Sequence, residues 1–108
     1  MGLLDRLAGL FSKNGRDENS LAQAIDHAKA KRPAEAIAIY NRLIDASGTA
    51  SATRARALFN RALAYSSLDD DAKALVDLER VLALPDLPDN VQTAARAQLA
   101  RVRRRSPP

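Results

Sequence analysis

The side chains that could perform acid–base chemistry are few. The single histidine, His27, follows Asp26, and a carboxylate beside an imidazole suggests the base and orienting group of a catalytic triad. Successive helical residues point about 100° apart, so these two side chains do not face each other. The sequence has no cysteine, no Gly-rich phosphate-binding loop and no zinc-ligand set. We therefore interpret His27 as a packed structural residue, and we predict that the protein is not an enzyme and uses no cofactor.

Three consecutive acidic residues, Asp69, Asp70 and Asp71, form a second candidate site. A calcium loop would need further oxygen ligands at fixed spacing and a glycine for its tight turn, and the surrounding sequence supplies neither. Aspartate also suits helix ends, because it tolerates left-handed backbone and accepts hydrogen bonds from the first turn of a helix. We expect Asp70 or Asp71 to cap a helix that begins near Ala72, and we predict no metal site.

The basic charge of the chain lies at its carboxyl-terminal end. The net charge is +4, and Arg101, Arg103, Arg104 and Arg105 supply four positive charges, so the rest of the chain is neutral. Nucleic-acid surfaces usually spread Lys and Arg over a folded face. Nucleic-acid binding through the arginines is therefore the least favoured functional hypothesis.

The length of 108 residues fits one small domain with a modest core. Aromatic residues make up 4% of the chain, so the core must consist of Ala, Leu, Ile and Val, which suits close helix packing. No apolar run reaches the roughly 20 residues of a membrane-spanning helix, and the amino terminus lacks the features of a secretory signal. With the absence of cysteine, these observations predict a cytoplasmic protein.

Apolar residues recur at helical spacing and predict an all-α fold. Residues 1–13 form a short amphipathic stretch, whose apolar face consists of Leu3, Leu4, Leu7, Leu10 and Phe11. Asn14 and Gly15 signal a stop, so residues 14–19 are predicted to be a linker, with Ser20 as the next N-cap. The expected helices span residues 3–12, 20–31, 34–46, 52–68, 71–83 and 89–103.

Residues 55–85, ARALFNRALAYSSLDDDAKALVDLERVLALP, place small residues, an aromatic residue and a closing proline at the spacing of a repeating helix pair. The stretch resembles one whole tetratricopeptide repeat. The matching positions are Leu58, Ala62, Tyr65, Ala74 and Pro85, whereas Arg61 and Leu78 differ from the consensus. The resemblance implies antiparallel helix hairpins that stack into an α-solenoid.

A weaker copy of the pattern precedes this repeat. Aligning the two copies places Ala36 on Ala74, an offset of 38 residues. The family period is about 34 residues, and the excess falls in the polar stretch at residues 47–51. The residues predicted to pack the two hairpins are Ala24, Ala36, Tyr40, Ala62, Tyr65, Ala74 and Leu78.

The predicted organisation is one helical domain over residues 20–103. Its parts are a first repeat at 20–46, a second at 52–85 and a capping helix at 89–103, preceded by the amphipathic stretch 1–13 and the linker 14–19 and followed by a basic, proline-containing tail at 104–108. The capping helix presents a stripe of Val91, Ala95, Leu99 and Val102.

The resemblance also implies a binding surface, because the first helix of each pair lines a concave groove in this family. The residues that it assigns to the groove are Leu21, Ile25, Lys29, Arg56, Phe59, Asn60, Leu63 and Ser67, with Glu18, Ala22 and Ser66 beside them. Leu21 and Ile25 stand where a clamp for a partner's terminal carboxylate would need Lys and Asn, which makes such a clamp unfavourable. The alternative interpretation of the apolar strip is that Leu21 and Leu63 belong to the core.

We predict a non-catalytic protein–protein interaction module that binds a peptide or an amphipathic helix of a partner protein. A membrane-surface adaptor is the alternative, but Arg6 and Lys13 are the only basic side chains of residues 1–13. Stacked repeats usually need about three units, so the helix formed by residues 1–13 is expected to cover the first pair or the groove. It would do so in its own chain, or in a neighbouring copy as a homodimer.

Overall fold

The computed structural model describes residues 13–105. These residues form five helices and no strand, which confirms the predicted all-α fold. The helices are α1 (Lys13–Lys29), α2 (Pro33–Asp45), α3 (Ser51–Ser67), α4 (Asp71–Leu82) and α5 (Asp89–Arg105). The helix predicted over residues 3–12 lies outside the described residues.

The amino-terminal half of α1 differs from its prediction. Residues 14–19, predicted to be a linker, are helical, and Ser20 lies inside α1 instead of capping it. A glycine in a helix costs about 1 kcal/mol relative to alanine, so Gly15 weakens the helix without ending it. The polar residues of this segment mark an exposed helix face.

Two contacts of Lys13 help to hold this part of α1. Its Nζ lies 3.4 Å from Asp17 Oδ2, one turn later on the same helix. A Cβ added at Gly48 would lie 2.6 Å from Lys13 Cε, so the lysine side chain lies directly on the loop after α2. Contact with this distant loop is a tertiary effect that local stop signals do not register.

The turns inside both hairpins follow their sequence signals. Lys31 (φ 63) takes left-handed backbone after α1, and Pro33 occupies the first turn of α2, where its missing N–H loses no helical hydrogen bond. Asp69 (φ 60) likewise takes left-handed backbone after α3. The Asp70 carboxylate then accepts a hydrogen bond from the Lys73 N–H at 3.2 Å, which confirms the predicted cap of α4.

Helix packing follows a regular order along the chain. α1 pairs with α2 and α3 with α4, α2 packs against α3, and α5 packs against α4. α1 also contacts α3, and α3 contacts α5, so these three helices are neighbours on one side of the stack. The buried side chains between the helices include Ala24, Ala36, Tyr40, Ala62, Ala74, Leu78, Val91, Ala95 and Val102. Small alanines at the crossings allow the helices to approach closely.

The carboxyl-terminal helix is longer than predicted. α5 includes Arg104 and Arg105, so these two residues are not part of a tail. Arg105 Nη2 lies 3.2 Å from Asp71 Oδ1, and Arg103 Nη2 lies 3.8 Å from Glu79 Oε1. The last arginines of α5 thus pair with acidic residues of α4, the helix on which it packs.

Candidate functional site

A shallow groove lies where α1 and α3 run side by side. Its lining consists of Ile25, Ala28, Lys29, Tyr40, Asn60, Leu63, Ala64 and Ser67. Its volume, about 280 Å³, falls just below the roughly 300–1,000 Å³ typical of pockets that enclose small molecules. A shallow site of this size suits a few side chains that project from a larger partner.

Five of the eight residues predicted for the groove line it, namely Ile25, Lys29, Asn60, Leu63 and Ser67. Leu21 is 6% exposed and belongs to the core, as the alternative interpretation proposed for it. Leu63 is 36% exposed, so that alternative is wrong for Leu63. Phe59 is half-buried against the core, and Arg56 is exposed outside the lining.

The chemistry of the groove is mainly apolar. Ile25 and Leu63 supply its large aliphatic side chains, and Lys29 is the one charged residue among those that line it. Asn60 Nδ2 donates to the backbone carbonyl four residues earlier at 2.8 Å, and Ser67 Oγ donates to the carbonyl three residues earlier at 2.7 Å. Since these donors are already paired, the surface favours an apolar ligand over a highly polar one.

Tyr40 belongs both to the core and to the lining of the groove. The sequence predicted it as a packing residue of α2, and its side chain is fully buried. Its hydroxyl nevertheless has no hydrogen-bond partner within residues 13–105, and the residue also lines the groove. A buried hydroxyl without a partner is unfavourable. Burial raises the pKa of Tyr40 to about 12.

This shifted pKa predicts a pH dependence of stability. The unfolded chain ionises Tyr40 near its ordinary pKa of 10.0, whereas the folded chain keeps the proton up to about 12. The contribution of Tyr40 is therefore complete below pH 10 and is lost as the pH rises towards 12, by on the order of 2 kcal/mol. In urea unfolding between pH 9 and 12, Tyr40→Phe should lose less stability than the unmodified chain. Parallel stability curves for the two proteins would contradict this prediction.

A buried ion pair that sequence analysis missed joins α3 to α4. Arg61 Nε and Nη2 donate to the two carboxylate oxygens of Asp77, both at 2.7 Å, and Asp77 is 2% exposed. Arg61 Nη1 also donates to Asn41 Oδ1 of α2 at 2.8 Å. The hydrogen bond to Asp77 raises the pKa of Arg61, so the guanidinium stays charged. One side chain thus connects both hairpins.

A sequence signal for this pair was present. Arg61 stands at an apolar consensus position, and Asp77 lies within the stripe of Ala74, Leu78 and Val81. Two opposite charges at apolar positions of paired helices indicate a buried ion pair, because neither charge is stable there alone.

The other candidate sites lie outside the groove. His27 Nδ1 lies 3.2 Å from Glu35 Oε2 without hydrogen-bond geometry, and the imidazole is 31% exposed, so it is less buried than predicted. Asp69, Asp70 and Asp71 shape the turn, cap α4 and pair with α5. No group of three or more metal-ligating side chains occurs among the described residues. Within the same part of the chain, no helix is long and apolar enough to cross a membrane.

Residues 56–86, which include most of α3 and all of α4, match the family model described as tetratricopeptide repeat. The chain therefore contains a tetratricopeptide repeat. Neither the curated proteins nor the solved structures compared with the chain gave a match. The matched residues agree with the repeat recognised at 55–85, so the α3–α4 hairpin is a tetratricopeptide repeat. Such repeats generally mediate protein–protein interaction and are generally not enzymes. The α1–α2 hairpin lies outside the match, and its assignment as a first repeat stays a prediction.

Proposed function

We propose that this tetratricopeptide repeat protein is a non-catalytic adaptor whose α1–α3 groove binds one amphipathic helix of a partner protein. The observation that carries the proposal is the exposed apolar lining of this groove. Leu63 projects from α3 opposite Ile25 of α1, and both are available at the same surface. An apolar helix face laid between them would remove both side chains from water.

The size of the groove limits how many apolar side chains of the partner helix, its anchors, can be buried there. Burying one large aliphatic side chain contributes roughly 1.5–3 kcal/mol, and about 280 Å³ accommodates only a few such side chains. A helix presents anchors on one face at spacings of three and four residues. We therefore expect two or three leucine, isoleucine or phenylalanine anchors, spaced three or four residues apart.

The polar residues of the groove favour one orientation of the partner helix. Lys29 stands at the end of α1, so an acidic residue of the partner helix is favoured near that end. The single lysine does not constitute a clamp for a terminal carboxylate, which agrees with the sequence argument.

Affinity capture with the full chain tests this proposal. Leu63→Glu places a charge in the groove and should reduce recovery of the bound partner by at least about tenfold, equivalent to 1.4 kcal/mol. The matched control is Val76→Glu, because Val76 is 57% exposed on α4 and does not line the groove. Partners should be quantified by mass spectrometry, and equal losses in both variants, or none in either, would contradict groove binding.

The cytoplasmic location stays a prediction.

A further inference from the structure

We propose that residues 1–12 of one copy occupy the groove of a second copy, so that two chains form a reciprocal dimer. The inference rests on the proposed function, since it assumes that the groove accepts an amphipathic helix. It follows from where α1 places the attachment point of this segment. The helical conformation of residues 14–19 removes the predicted linker that would have let the segment reach either chain.

The attachment point lies at the far end of α1 from the groove. The residues that α1 contributes to the groove are Ile25, Ala28 and Lys29, all within its last five positions. At a rise of 1.5 Å per residue, Lys13 is about 18 Å from Ile25 and about 24 Å from Lys29 along the helix. The segment therefore starts at the wrong end to enter its own groove directly.

If residues 1–12 fold back along α1 of the same chain, the helix that they form is too short to reach the groove. A tight turn between antiparallel helices uses at least about two residues, which leaves about ten residues and 15 Å of helix. Such a helix ends before the level of Ile25, and Leu7 would lie only about 5 Å along α1 from Lys13. An extended chain could reach the groove, but its apolar residues, which are spaced for a helix, would no longer share one face.

The place that a folded-back helix can reach is less suitable. A crevice beside the first half of α1 is lined by Asp17, Ser20, Ile39, Arg42, Leu43 and Ala46. It presents two charged residues, and its Leu43 is already buried. The groove presents one charged residue and an exposed leucine. Apolar anchors thus gain more contact in the groove than in the crevice.

In a dimer with a second copy, the apolar face of residues 1–12 and the apolar groove can cover each other in both chains. If two α1 helices run antiparallel about a two-fold axis near Asp17, Lys13 of each chain lies at about the level of Leu21 of the other, so residues 3–11 reach the level of Ile25 to Lys29. Each segment then continues over the partner's groove, and the exchange is reciprocal and closed. Leu3, Leu4, Leu7, Leu10 and Phe11 supply more than enough anchors for a groove of this volume.

Disulfide trapping tests the dimer directly, because the natural sequence contains no cysteine. Full chains carrying Leu7→Cys and full chains carrying Leu63→Cys are mixed under reducing conditions and then oxidised. A disulfide requires Cα atoms within about 7 Å, so a covalent heterodimer reports the segment in the partner's groove. We expect at least about ten times more heterodimer than with Val76→Cys in place of Leu63→Cys, because binding raises the effective concentration. Leu4→Cys provides a second, independent position in the segment.

Intrachain products would overturn the inference. The chain with both Leu7→Cys and Leu63→Cys should give interchain disulfides, and an intrachain one would show that the segment reaches its own groove. An intrachain disulfide between Leu7→Cys and Ile39→Cys would place the segment in the crevice. No disulfide in any combination would mean that the segment binds elsewhere, such as on a membrane. If trapping fails while Leu63→Glu still loses its partner in affinity capture, only the dimer is wrong; if both fail, groove binding is wrong as well.

Discussion

Replacing Asp77 with alanine is expected to lower the free energy of unfolding by about 3–5 kcal/mol. The aspartate is 2% exposed and receives two 2.7 Å hydrogen bonds from Arg61, whose side chain is 12% exposed. Without this carboxylate, the guanidinium would remain in the interior and would keep the hydrogen bond to Asn41 but lose both bonds to its counter-charge. The expected loss is a large part of the 5–15 kcal/mol that stabilises a typical domain. Urea unfolding monitored by circular dichroism measures it.

Two further variants distinguish a buried charge from a general effect of truncation. Glu79→Ala removes the carboxylate of an exposed pair on the same helix, where both side chains are 62% exposed, and should cost less than about 1 kcal/mol. Replacing Arg61 and Asp77 together with leucine removes both charges and should recover most of the loss. Equal losses for Asp77→Ala and Glu79→Ala would contradict the claim that an unpaired buried charge causes the loss. A double variant no more stable than Asp77→Ala would contradict it as well.

Ala62→Leu is expected to cost roughly 1–3 kcal/mol through overpacking. Ala62 is fully buried on α3, and a close-packed interior leaves little space for three additional carbon atoms. Ala72→Leu on α4 is the matched control, because Ala72 is exposed and both residues favour helix. Thermal unfolding should show a lower midpoint for Ala62→Leu alone. An unchanged midpoint would mean that the alignment of the repeat on this sequence is wrong.

Most of the fold was predictable because its signals are local. Periodic apolar residues located all five described helices, and Asp70 was recognised as a cap candidate from its position before an apolar stripe. The errors at residues 14–19 and at Arg104 and Arg105 have one physical cause. In both places the helix contacts another part of the chain, the loop at Gly48 or the acidic residues of α4, which the local sequence pattern does not reveal.

The groove was predicted less completely because its lining depends on how two hairpins rotate against each other. The family pattern identifies the first helix of each pair, and this sufficed for Ile25 and Leu63. It does not show that Leu21 turns into the core or that Tyr40 of α2 reaches the groove. The ion pair between Arg61 and Asp77 joins residues 16 positions apart on two helices, so the local pattern of either helix does not reveal it. These features require the packed structure, since each depends on residues far apart in the chain.

Site-specific photocrosslinking tests the central claim, that the α1–α3 groove is the binding surface, most directly. A benzophenone amino acid is placed at Ser67, an exposed position of the groove lining, or at Val76 as the control. Illumination of the full chain in cell extract should yield a defined crosslinked product at Ser67 alone. Mass spectrometry should map the attachment to a helix with apolar residues three or four positions apart, from a second copy or from another protein. The same products at Val76 and Ser67, or attachment at Val76 only, would show that the partner binds a different face.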